Sequence, residues 1–193
     1  YMKFNIKTNI HNKFEFEVID SLTGELKQKA EAYNIVLNRM WDIIFNFSAY
    51  FSYIHFGTGT GTLSPTRTTL FTPLGFKTAA DDTKIKSFPV SSWKRKITLN
   101  PEEYVGKTIT EVGISESTSY INTHAFLKDA EGNPVSITKT GTDIVNIYAT
   151  IYVTLSDVDD NIKFVGFPNN NYLINYLIGQ SSFYWLSWIT GQC

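Results

Sequence analysis

The sequence predicts a mainly β, α+β fold, with one or two helices packed on an antiparallel, β-sandwich-like body. Three observations carry this expectation. Ile109 to Leu155 holds three runs, ITEVGI, THAFLKDAEGNPVSI and TDIVNIYATIYVTL, whose apolar residues alternate, the period of a half-buried strand. The turn Asp129-Ala130-Glu131-Gly132-Asn133-Pro134 lies inside the second run and specifies a β-hairpin followed by a long strand. Only one long stretch, Glu31 to Phe47, changes to clear helical spacing.

Taken in order, Phe4 and Ile6, then Phe14, Phe16 and Val18, alternate with polar residues and read as two half-buried strands, with a turn at Thr23-Gly24-Glu25. In the helix predicted over 31–47, Ile35, Val36, Met40, Ile43, Ile44 and Phe47 share one side, with Asn38, Arg39, Asp42 and Asn46 opposite. Ala49 to Phe56 alternates as a strand that runs into a glycine loop. Gly57 to Asp82 reads as a loop too long for a simple connector and, with Leu63, Leu70, Phe71, Leu74 and Phe76, too apolar for a free linker. It is expected to lie against its own domain or a neighbouring subunit.

Trp93 to Leu99 is a strand, and its Lys94-Arg95-Lys96 cluster is expected on a wet face or edge. Asn100-Pro101-Glu102-Glu103 starts a single helical turn ending at Gly106. In the last run, Ile144, Tyr148 and Tyr152 alternate with Val145, Ile147, Ile151 and Val153. Neither face is plainly polar, which predicts burial on both sides, once against another sheet or chain. Beyond it, Asn169-Asn170-Asn171 caps a short helix stopped by Gly179, and Phe183 to Ile189 crowds aromatic rings at the terminus. The expected organisation is a mainly β domain over 1–156 and an aromatic-rich appendage over 157–193. The start at Tyr1 and the end at Gln192-Cys193 suggest part of a longer chain.

Composition narrows the function classes. Charged residues make up 18% and aromatic residues 15% of the chain, against about 25% charged in an average soluble domain. Such a surface suits contact with protein or sugar. A formal net charge of -1 gives no basic footprint for nucleic acid, and no apolar run is long enough for a spanning helix. The lone Cys193 allows no internal disulfide and no zinc set.

The motifs that invite chemistry each have a plainer reading. Gly57-Thr58-Gly59-Thr60-Gly61-Thr62 follows a strand, but Thr62 stands where a dinucleotide fingerprint needs glycine and no Gly-Lys-Ser/Thr follows. Asp157 to Asn161 spaces oxygens as a calcium loop does, yet Ile162 and Pro168 occupy the positions of the required Gly and Glu. His11, His55 and His124 sit on separate elements, and His124 reads as a hydrogen-bonded core or interface residue. Glu102, Glu103, Glu111 and Glu116 are explained by a helical first turn and by strand surfaces. No catalytic, cofactor-binding or metal-binding residue is expected.

The string Ile109-Thr110-Glu111-Val112-Gly113-Ile114, the Lys128-Asp129-Ala130-Glu131-Gly132-Asn133 hairpin and the terminal Tyr148-Ala149-Thr150-Ile151-Tyr152-Val153-Thr154 strand resemble segments of tailed-bacteriophage virion proteins. The likeness is to attachment regions of tail fibres and baseplate-associated proteins. It covers Asn34 to Leu155 loosely, including the Asn34-Ile35-Val36-Leu37-Asn38 segment and the Phe56 to Thr62 loop. It implies a structural role in the virion, at the tail tip, baseplate or tail-fibre attachment, with no enzymatic activity. The implied partners are further copies of the chain, as a trimer or hexamer, and other virion proteins. The residues expected at an interface are Gly57, Gly59, Gly61, Tyr148, Tyr152, Tyr184, Trp185 and Trp188. The alternative is a carbohydrate or host-receptor module, whose exposed rings stack on a host surface glycan.

Overall fold

The computed structural model describes residues 6–43, 51–85 and 90–157. The strands are β1 (Ile6–Asp20), β2 (Leu26–Tyr33), β3 (Ile35–Val36), β4 (Tyr53–Gly57), β5 (Pro73–Thr78) and β6 (Ala80–Ile85), followed by β7 (Val90–Leu99), β8 (Thr108–Ile109), β9 (Glu111–Ser115), β10 (Thr123–Phe126), β11 (Ile137–Thr138) and β12 (Asp143–Asp157). A short helix, α1 (Asn38–Ile43), stands between β3 and β4. Sheet I has the order β2-β1-β12-β7-β6, sheet II the order β3-β10-β9-β4-β5, and β8 and β11 form a separate pair. The paired strands run antiparallel. This is the predicted mainly β, antiparallel body.

Alternation places the core. Phe14, Phe16 and Val18 of β1, Val145, Ile147, Ala149, Ile151 and Val153 of β12, and Ile97 and Leu99 of β7 meet Ile54, Phe56, Val112, Ile114 and Ala125 of sheet II in one buried cluster. Burying large apolar side chains at about 1.5–3 kcal/mol each supplies the main drive for stacking the sheets. The sheets also meet at both sides. The chain turns from β5 into β6 through the buried Ala79, and on the other side Glu31 and Lys128 exchange backbone hydrogen bonds of 2.8 and 2.7 Å.

Several expectations change once the pairing is known. Ile6, expected on a separate first strand with Phe4, belongs to the same strand as Phe14 to Val18: no Gly or Pro interrupts Ile6 to Asp20, and β12 pairs along its whole length; Phe4 lies outside the described residues. The helix predicted over 31–47 begins only at Asn38, and residues 44–47 lie outside the described residues. Glu31 to Tyr33 pair with β1, and Ile35 and Val36 pair with β10. Those ladder bonds and β-branched side chains override a helical periodicity. The predicted loop over 57–82 contains β5 and the start of β6. Pro73 opens β5 at a sheet edge, where a missing N–H is tolerated.

The turn at 129–134 forms as expected. Gly132 has φ +88°, and the Asp129 carboxylate accepts from the Asn133 N–H at 2.8 Å. Its arms then separate, because β11 pairs with β8 and not with β10. After Asn100 the chain makes hydrogen-bonded turns and not the expected helical turn, because Tyr104 takes φ +55°, on the left-handed side; the Glu103 carboxylate still accepts from the Asn100 N–H at 2.7 Å, and Gly106 has φ +74°.

Candidate functional site: a strap closed on a buried carboxylate

Outward-facing positions of sheet II should meet solvent, yet Glu111 of β9 and His124 of β10 are both 0% exposed. The cover is the segment 58–72, between β4 and β5, which crosses this face as a strap. Its two ends are tied together by Thr58 N–H to Thr72 O at 3.0 Å, and its backbone accepts from the domain at Pro65 O, from Asn38 N–H at 2.8 Å, and at Thr68 O, from Ile121 N–H at 2.9 Å. Leu70 packs with Leu37 and Ile121 in a second buried cluster. Phe71 lies over the face, stacked on Phe126 with ring centroids 5.8 Å apart and beside the His124 ring at 5.4 Å.

Glu111 is the anchor. One carboxylate oxygen accepts from the N–H groups of Gly59 and Thr72, each at 2.8 Å. The other accepts from the Phe71 N–H at 2.9 Å and from His124 Nε2 at 2.8 Å. Burial by itself pushes the Glu111 carboxyl up; the bonds from His124 and from the Thr72, Phe71 and Gly59 N–H groups outweigh it and hold the carboxyl below its usual range. A carboxylate only accepts, so His124 donates through Nε2, and its Nδ1 is buried with no hydrogen-bond partner among the described residues. A carboxylate with four donors and no solvent contact has no lone pair directed at a substrate. What this arrangement does is hold a strap.

The same contacts explain the glycines expected at an interface. A Cβ on Gly57 would stand 2.6 Å from the Glu111 carboxylate and 2.6 Å from Thr72 O, and one on Gly59 would stand 2.2 Å from Phe71 Cβ. Gly61 is exposed, but a Cβ there would meet the Phe71 ring at 2.5 Å. The three glycines therefore follow from contacts within the chain. Sequence reasoning placed Glu111 on a strand surface and missed that the surface is covered. The available signal was the outer row of β9, Glu111-x-Gly113-x-Ser115: a carboxylate beside two small residues leaves space for another backbone. A Cβ on Gly113 would lie 2.4 Å from Thr123 O.

Tyr148 and Tyr152 face outward from β12 in the middle of sheet I. This face, expected to be apolar, is a lattice of charge. Tyr148 lies under Lys94 and Lys96, whose ammonium groups are 4.3 and 5.3 Å from its ring centroid, and its hydroxyl donates to Glu17 at 3.3 Å. Lys94 pairs with Glu15 at 3.2 Å. Tyr152 stacks on His11 at 4.9 Å. The lysine stems lie over the Tyr148 ring, keeping their charged ends toward water.

Arg95, expected on the wet face with Lys94 and Lys96, shares the inner row with Trp93, Ile97 and Leu99, because alternate residues share a face. Its guanidinium donates to the carbonyls of Phe51 and Ala79 and lies 3.1 Å from Asp81, bracing the corner between β5 and β6. Tyr184, Trp185 and Trp188, like the predicted helix at 169–179 and the calcium-like loop beyond Asp157, lie outside the described residues.

Among the described residues no cluster of three His, Cys, Asp or Glu residues could hold a metal ion, and no helix is long and apolar enough to cross a membrane. Compared with known protein families, curated proteins and solved structures, the chain matches none.

Proposed function

We propose that this chain is a non-enzymatic structural module of a tailed-bacteriophage virion, placed at the tail tip, baseplate or tail-fibre attachment, where it docks as a homo-oligomer on other virion proteins. The motif resemblance supports the setting, and one observation supports docking. Strand β6 ends sheet I and exposes all six of its residues. Ile85 at its end is 54% exposed and Val90, at the start of the paired strand β7, is 42% exposed. A free edge bordered by apolar side chains is the element that strand addition from a second chain uses. Its Asp81, Asp82 and Lys84 and the register shift between Asp81 and Thr83 make that edge selective about which strand it accepts.

The test is the native mass of the full chain at micromolar concentration, alone and with Ile85→Glu and Val90→Glu combined. A trimer or hexamer that the double substitution dissociates, with the melting temperature of the domain retained, is the expected result. A monomer at every concentration would remove the reading.

A further inference from the structure

A cleft of about 360 Å³ opens between α1 and the strap, lined by Asn38, Arg39, Thr66, Arg67, Thr68 and Tyr120. This lies within the size range of small-ligand sites. Its two arginines differ. Arg39 is neutralised by Glu116 at 2.5 Å, and its guanidinium carbon sits 4.4 Å from the Tyr120 ring centroid. Glu116 is further held by Asn122, which donates to it at 2.7 Å. Among the described residues Arg67 has no carboxylate within ion-pair distance and no side-chain hydrogen bond, and its Nε is buried without a partner; its guanidinium carbon rests 3.5 Å from the Phe71 ring centroid. Stacking on Phe71 fixes the plane of the guanidinium while leaving its N–H fork without an acceptor among the described residues. Asp42, the other charged residue at the cleft, has interactions of its own.

We propose that this cleft binds an acidic saccharide, with Arg67 taking the sugar carboxylate and Tyr120 packing against the pyranose ring. A planar guanidinium takes a carboxylate in two parallel hydrogen bonds. Arg67 is the one cation of the lining that no carboxylate pairs among the described residues, and a single guanidinium matches a single negative charge, which favours carboxylate over the nearly doubly charged phosphate. Asn38, Thr66 and Thr68 supply the amide and hydroxyl groups that sugar hydroxyls need. Tyr120 is 44% exposed although Arg39 covers part of its ring, so ring surface stays open for the apolar side of a pyranose. The inference does not depend on the assembly reading, since no residue of β6 takes part.

Amide and side-chain NMR shifts of the full chain would be followed during titration with sodium glucuronate, glucose, glucose 6-phosphate and succinate. Glucuronate is expected to shift Thr66, Thr68 and Tyr120 and to bind about tenfold more tightly than glucose, the step that one charge-assisted contact supplies. Arg67→Gln should remove that preference, Arg67→Lys should retain part of it, and Tyr120→Ala should weaken both sugars, each with an unchanged melting temperature. The Lys variant retains the charge if the Gln variant folds poorly. Equal binding of glucose and glucuronate, or no shift up to about 10 mM, would overturn the proposal. So would succinate or glucose 6-phosphate binding as tightly as glucuronate, by removing the sugar or the carboxylate from the recognition.

Discussion

On the outer face of sheet II, Glu111 and His124 have no solvent contact beneath the strap, whereas on the outer face of sheet I, Glu15 and Lys94 stand 38% and 29% exposed beside Tyr148. Both faces combine carboxylates, aromatic rings and basic groups. The difference is dielectric. A carboxylate removed from water must find every lost hydrogen bond inside the protein, so the strap contributes three backbone N–H groups at fixed positions. A half-exposed carboxylate exchanges freely between lysine and water, and its geometry constrains little. Similar residue types thus make a structural lock on one face and a solvated, salt-sensitive lattice on the other.

The sharpest way to break this contrast is Glu111→Ala. It removes the anchor and leaves the N–H groups of Gly59, Phe71 and Thr72 without an acceptor, so chemical denaturation should register a loss of about 3–5 kcal/mol. A loss below about 1 kcal/mol, the scale of an exposed pair, would mean the two faces are held alike.

Acid should act on the same anchor. The folded Glu111 carboxyl is held below its usual range, so its contribution is complete above the unfolded value, about 4.3. That contribution is lost as pH falls through the folded value. Hydrogen exchange of the Gly59 and Thr72 amides should accelerate below that window ahead of amides in the centre of β12, once corrected for intrinsic rates. Simultaneous loss would show that the strap does not open separately.

Gly59→Val tests the fit between strap and sheet. Its first side-chain carbon would stand 2.2 Å from Phe71 Cβ and 2.5 Å from the Glu111 carboxylate, an overpacking worth about 1–3 kcal/mol in thermal or chemical unfolding. Gly132→Val provides the comparison. A side chain there meets nothing within 4 Å, and the objection is only the φ of +88°, costing about 1 kcal/mol. If Gly132→Val proves the costlier, backbone conformation and not close approach governs these glycines. Smallest of all should be Glu15→Gln on the open face, less than about 1 kcal/mol and shrinking further in high salt.

The elements most legible in the sequence were those whose local pattern and long-range pairing agree. The alternation of Phe14, Phe16 and Val18 and of Val145 to Val153 specifies strands wherever they pair. Gly132 and Gly106 mark turns because few other residues adopt positive φ. Glu31 to Val36 went the other way. Its helical spacing was real, but β1 and β10 offered backbone partners that a helix could not use.

The sequence by itself therefore determined the antiparallel β body, the core faces and the turns, since these depend on side-chain period and backbone sterics within a few residues. Only the tertiary structure decided that Thr58 to Thr72 is a strap, that Glu111 is a buried anchor and that Arg95 faces inward at the corner. Each depends on what covers a strand's second face, a neighbour dozens of residues away whose approach leaves only faint traces in local spacing. A glutamate reads the same in a sequence whether water or three backbone amides will solvate it, and its partners exist only once the sheets have stacked.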